Sequence, residues 1–175
     1  MLPIRWLNMK NNIKTTCFLG LFTALAMILS YVEALLPPIW SAVPGIKIGL
    51  PNIIIIFLLY RFSLKHAAVV SLVRILLSAL LFGNAVSLLY SLGGAFLSII
   101  IMAFLKKTGY FSMVGVSVAG GVFHNVGQIL VAMLVLSTAE IGYYIIILAV
   151  TGTIAGVLVG ILGALVTRYM EKVKM

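Results

Sequence analysis

Apolar runs bounded by charged residues, Pro or Gly divide the chain into six segments, about 16–36, 47–60, 64–82, 86–105, 113–137 and 141–166. A helix rises 1.5 Å per residue, so roughly 20 apolar residues cross a hydrocarbon core about 30 Å thick. The second run is the exception, with only about 14 residues behind Pro37, Pro38, Pro44 and Gly45. Backbone of that composition is tolerated at membrane depth only where protein shields it or where it lines a cavity. The segment 37–46, with Pro38, Trp40, Pro44 and Gly45, is therefore the candidate gate loop. The pattern predicts an all-α integral membrane protein, six transmembrane helices in one bundle over 1–175. No internal repeat or linker marks a second domain.

Composition agrees: 63% of the 175 residues are hydrophobic and 9% charged, which excludes a water-soluble globule. The formal charge of +9 arises from twelve Lys and Arg against Glu33, Glu140 and Glu171, with no Asp. An excess this large raises nucleic acid as a partner, but the basic residues sort by topology. Arg5, Lys10 and Lys14 precede the first run; Arg61 and Lys65 follow the second, Lys106 and Lys107 the fourth, and Arg168, Lys172 and Lys174 the last. With six spans those ten fall on one side, so both termini are expected in the cytoplasm of a multi-pass cell-membrane protein. The N-terminal run is too long for the h-region of a signal peptide and more spans follow it, so it reads as the first helix. One cysteine, Cys17, allows neither an internal disulfide nor a Cys-based metal cluster, and no metal or cofactor is expected.

Ionisable and hydrogen-bonding side chains inside spans mark sites or pathways by default. Arg74 lies mid-span, with Ser71 and Ser78 on its helix face. It either binds an anion or is a structural arginine neutralised by Glu33 or by backbone carbonyls. The fifth run aligns Ser117, Gly121, His124 and Gln128, with Asn125 beside them, a face too polar for lipid. Pro44 to Asn52 frames Lys47 and Asn52 with Gly and Pro where the chain enters the membrane, and unwound backbone before a helix favours anions. Lys47 either meets a carboxylate or phosphate there or snorkels to the interface. Tyr90, with Ser87 and Ser91, is a further candidate for the pocket. Gly83 and Asn84 read as a tight turn. Trp40 is an interfacial anchor or a lid. Small residues recur at four-residue spacing, Gly152, Gly156 and Gly160 in the last run, and Gly20 with Ala24 and Ala26 with Ser30 and Ala34 in the first. Such strips pack helices together within a bundle or dock a partner.

Catalysis is poorly provided for. The chain lacks the G-x-x-x-x-G-K-[ST] phosphate loop, and without Asp it has no aspartate pair to hold magnesium on a prenyl diphosphate.

Pro44-Gly45-Ile46-Lys47-Ile48-Gly49-Leu50-Pro51-Asn52-Ile53, Arg74, Tyr90-Ser91-Leu92 and His124-Asn125-Val126-Gly127-Gln128 together resemble the Gx transporter family. Many of its members carry the label heptaprenyl diphosphate synthase component I. Pro51 departs from the pattern, which has a small residue there. The family is similar to the substrate-binding S components of energy-coupling factor (ECF) importers, six-helix proteins of about this size. That resemblance implies a vitamin or related small molecule captured from outside, and as partners a transmembrane coupling subunit with two ATPase subunits. It assigns closure to the 37–46 loop and partner docking to Gly20, Ala24, Ala26, Ser30 and Ala34; the residues themselves point to substrate binding by Lys47, Arg74 and His124, which meet an anion's charge, with Asn52, Asn125 and Gln128 orienting it and Tyr90 in the pocket wall. The synthase label implies a different role, a non-catalytic membrane accessory subunit in making polyprenyl chains for quinones.

Overall fold

The computed structural model describes residues 12–35, 49–137 and 139–172. In chain order the helices are α1 (Asn12–Leu35), α2 (Asn52–Arg61), α3 (Leu64–Phe82), α4 (Ala85–Thr108), α5 (Met113–Leu136), a 3₁₀ helix (Ala139–Tyr144) and α6 (Ile145–Lys172). Among the described residues there is no strand. Five helical stretches, all but α2, are long and apolar enough to cross a membrane. Their outward faces carry large apolar side chains such as Leu80, Phe96, Leu134 and Ile146. Water would not hold such a surface, whereas lipid chains solvate it.

The second element departs from expectation. A helix over 47–60 was predicted, and α2 runs from Asn52 to Arg61, only 10 residues. Gly49 takes φ +78°, a left-handed conformation that side chains rarely adopt, and begins a turn in which the Asn52 amide donates to the Gly49 carbonyl at 2.9 Å. Pro51 then sits at the N-cap with φ −60°, where its missing N–H costs nothing. At about 15 Å, α2 reaches roughly half of the hydrocarbon thickness. Protein surrounds it: every residue from Ile53 to Leu59 is buried.

Polar side chains cap the starts of α3, α4 and α5. Ser63 Oγ accepts from the His66 amide at the start of α3 and lies 2.7 Å from His66 Nδ1. Asn84 and Ser87 form a reciprocal capping box at α4, Asn84 Oδ1 accepting the Ser87 amide at 2.8 Å. Gly109, at φ 74°, ends α4, and Ser112 caps α5. Lys106 Nζ donates to the Leu59 carbonyl and lies 5.2 Å from the centroid of the Tyr60 ring, so a cation covers the C-terminal end of α2.

The small-residue strip of α6 packs inside the bundle. A Cβ on Gly156 would lie 2.6 Å from Val118 Cα, and one on Gly152 would lie 2.9 Å from the Gly121 carbonyl oxygen. The backbones of α5 and α6 therefore nearly touch. On the other side of α5, a Cβ on Gly127 would meet the Gly93 carbonyl oxygen at 2.5 Å, which draws α4 in equally close.

Candidate functional site

A cavity of about 120 Å³ lies between the helices. Every element except the 3₁₀ helix contributes: Ser30 and Glu33 from α1, Asn52 and Ile56 from α2, Arg74 and Ser78 from α3, Ser91 and Ser98 from α4, Ser117, His124 and Gln128 from α5, and Gly152 and Gly156 from α6. Five of the seven residues expected to bind substrate, Asn52, Arg74, His124, Asn125 and Gln128, line this one space. Tyr90 does not line it; the next residue, Ser91, does. Lys47 and the gate-loop residues Pro38, Trp40, Pro44 and Gly45 lie outside the described residues.

Arg74 sets the electrostatics. Its Nη1 donates to Ser30 Oγ at 3.3 Å, a long bond, while its Nε is buried with no hydrogen-bond partner among the described residues. Ser30 Oγ itself donates to the Ala26 carbonyl at 2.9 Å, so the hydroxyl is fixed in place by its own helix. Glu33 lines the same cavity, and its negative charge acts on Arg74. The Glu33 carboxylate also accepts the Gly49 amide, tying the end of α1 to the turn before α2. Glu33 thus serves the entrance to α2 as well as Arg74.

The α5 residues divide into two roles. Asn125 is buried and donates through Nδ2 to the Leu148 carbonyl at 2.6 Å, which fixes α5 against α6. Gln128 lines the cavity and makes no hydrogen bond among the described residues. Ser98 of α4 and Ser117 of α5 are buried and line the space. Sequence reasoning did not single out Ser98, yet Ser87, Ser91 and Ser98 follow one another at four and seven residues, a polar line along an otherwise apolar helix. That line was the available signal.

The expected docking strip on α1 is split. Gly20 and Ala24 are exposed, and nothing approaches within 4 Å of where a Gly20 Cβ would stand. Ala26 is fully buried and Ser30 nearly so, which removes both from an outward docking face. Helical geometry explains the division: Ala24 and Ala26 are two residues apart, about 200° around the helix, so they cannot share a face. Ala34 is exposed at the mouth of the cavity, which it helps to line.

Among the described residues, no three His, Cys, Asp or Glu side chains come together as metal ligands. The arrangement is a polar chamber lined by one buried arginine inside an apolar bundle, which defines the protein as an all-α, multi-pass membrane protein with an internal polar cavity. The family model described as heptaprenyl diphosphate synthase component I matches residues 22–166, and the chain belongs to that family. No curated protein and no solved structure matches it. The likeness to importer S components therefore rests on the residue pattern alone.

Proposed function

We propose that this chain is a non-catalytic membrane subunit that holds a small, partly apolar anion in the cavity and acts with a separate partner. One observation carries the reading: Arg74 lines the cavity inside the bundle, and its Nε is buried without a hydrogen-bond partner among the described residues. An arginine at membrane depth is costly, and an anion that completes its hydrogen bonds offsets the cost. Asn52, His124 and Gln128 orient the rest of the ligand, and Asn125 holds α5 in register.

Family membership favours a prenyl diphosphate synthase subunit as the partner, with this chain as its membrane accessory. The absence of Asp supports leaving the metal-dependent chemistry to that partner. A second reading, the S component of an ECF importer in the plasma membrane, is favoured by the exposed Gly20 and Ala24, where another helix can approach α1 closely.

Affinity purification from native membranes in mild detergent, with mass spectrometry of co-purifying proteins and small molecules, tests both. The accessory reading expects a soluble prenyl synthase; a coupling subunit with paired ATPases replaces it with the importer reading. Recovery of the chain with neither a partner nor a bound anion refutes the proposal.

A further inference from the structure

The cavity runs deep into the bundle. Its mouth lies at Glu33, Ala34 and Gly83, where α1 and α3 end. On α4 its lining continues from Ser87 to Met102, about 22 Å along the helix axis. That carries the floor close to the opposite, basic end, where Arg61 ends α2, Lys65 begins α3, and Lys106 and Lys107 lie in the last turn of α4. Met102 stands one helical turn, about 6 Å, short of Lys106.

Polar lining persists to this depth. Thr23, Ser30, Thr151, Thr153 and Thr167 each turn a hydroxyl back onto a carbonyl of their own helix. Ser98 and Ser117 line the cavity and make no side-chain hydrogen bond among the described residues. Their oxygens are nevertheless not sealed, for among those residues Arg74 Nε is the one fully buried polar side-chain atom without a partner. A hydroxyl at membrane depth that lacks a protein partner but reaches a cavity is held by water or by a polar solute, so the space is wet down to these serines.

The polar lining stops at Met102. Its side chain is buried in the apolar cluster that contains Ile56, Leu59, Val116 and Val159, and Met113 and Met170 pack against the same cluster. The thioether occupies the notch left by Gly120: a Cβ there would stand 2.5 Å from Met102 Sδ and 3.3 Å from Ser98 Oγ. One turn further on, Lys106 Nζ donates to the Leu59 carbonyl. The barrier between the wet cavity and the basic end is therefore thin, and the side chain that faces the cavity is unbranched, with three rotatable bonds.

We propose that Met102 is the gate of a passage through this chain, and that a small polar solute in the cavity leaves at the basic end when the thioether swings out of the Gly120 notch. The passage goes beyond capture, since it concerns where a held solute exits rather than which solute is held.

The test is thiol labelling of the full chain in sealed membrane vesicles, with Cys17→Ser as background and Ser98→Cys as the reporter at the floor. The impermeant reagent methanethiosulfonate ethylsulfonate is added at one face at a time; Tyr143→Cys and Lys107→Cys, both at exposed positions, mark the mouth end and the basic end. Fast labelling of Ser98→Cys is expected from the mouth end, and slow labelling that goes to completion from the basic end. Met102→Ala removes the thioether and speeds labelling from the basic end by about tenfold or more. Met102→Leu, close in volume and so compatible with the fold, has one rotor fewer and slows it. No labelling from the mouth end shows that the cavity stops short of Ser98 and overturns the inference. No labelling from the basic end with Met102 in place makes the side chain a fixed plug, which overturns the gate, and a rate from that end that ignores residue 102 does the same. Each of these outcomes leaves anion capture standing, because co-purification of a bound anion reads it separately.

Discussion

The bundle interior has two halves that meet at α2. One is dry and closed: Ile53 to Leu59 pack against Phe22, Ala26, Val70 and Val116, with Phe22 and Phe57 ring centroids 5.3 Å apart. The other is the chamber around Arg74, lined by polar side chains, where one buried guanidinium nitrogen has no partner among the described residues. Ile56 belongs to both, buried in the apolar cluster and lining the cavity. The difference teaches what each half is for. A satisfied, close-packed interior resists change and holds the helices in register. An unsatisfied polar interior is tolerable only if something fills it or if the surrounding packing is strong enough to carry it.

Substitutions break or sharpen that contrast. The largest effect is expected at the α5–α6 seam, where Gly156→Val drives side-chain atoms into the Val118 backbone and the Ser117 carbonyl. Neither neighbour can rotate away, so the variant loses about 3 kcal/mol of stability or fails to fold; denaturation in detergent, read by monodispersity and helical signal, measures this. Wild-type stability would mean that the two backbones are further apart than described.

Leu58→Ala, at a side chain with no exposed area, costs about 2 kcal/mol. The figure sits at the low end of soluble-core values because lipid tails are as apolar as leucine, leaving mainly the cavity term. Leu80→Ala, at a position 82% exposed to lipid, is the control and changes stability by less than about 0.5 kcal/mol. Equal losses at the two sites would show that α2 is not the packed centre of the bundle.

The smallest stability effect is expected on the chamber side. Arg74→Gln shifts stability by about 1 kcal/mol, since among the described residues the arginine's Nη1 makes a long bond to Ser30 and its Nε none, and the loss beyond that is the charge it sets beside Glu33. The same substitution weakens binding of the captured anion by about tenfold or more. A loss of stability as large as that of Leu58→Ala would make Arg74 a structural arginine, the alternative that the sequence left open.

Much of the fold was legible because a bilayer imposes simple rules. Five long apolar runs bounded by charges became five long helices, their ends near the expected positions. Asn84, read as a turn residue, caps α4, where turn and cap draw on the same side-chain chemistry. The α5 polar face was equally legible, since four hydrogen-bonding side chains at helical spacing have no place in lipid, and Ser117, His124 and Gln128 do line one space. The misjudged points have physical causes of their own. The helix predicted from 47 begins at Asn52 because Gly49 turns the backbone and Pro51 caps the helix, local conformations that hydropathy does not register.

Span content, membrane residence and the presence of a buried arginine were set by the sequence alone, because solvation in lipid depends on composition and periodicity, both of which are local. Three features were decided only in three dimensions. Which α1 residues turn inward depends on where α3 and α2 lie, so Ala26 and Ser30 are buried while Gly20 and Ala24 are not. Whether the glycines of α6 dock a partner or a neighbouring helix depends on the approach of α5. That Glu33 and Arg74 border one chamber, 41 positions apart in the chain, follows from packing around the short α2. Each is a relation between elements, and no pattern within a single segment encodes it.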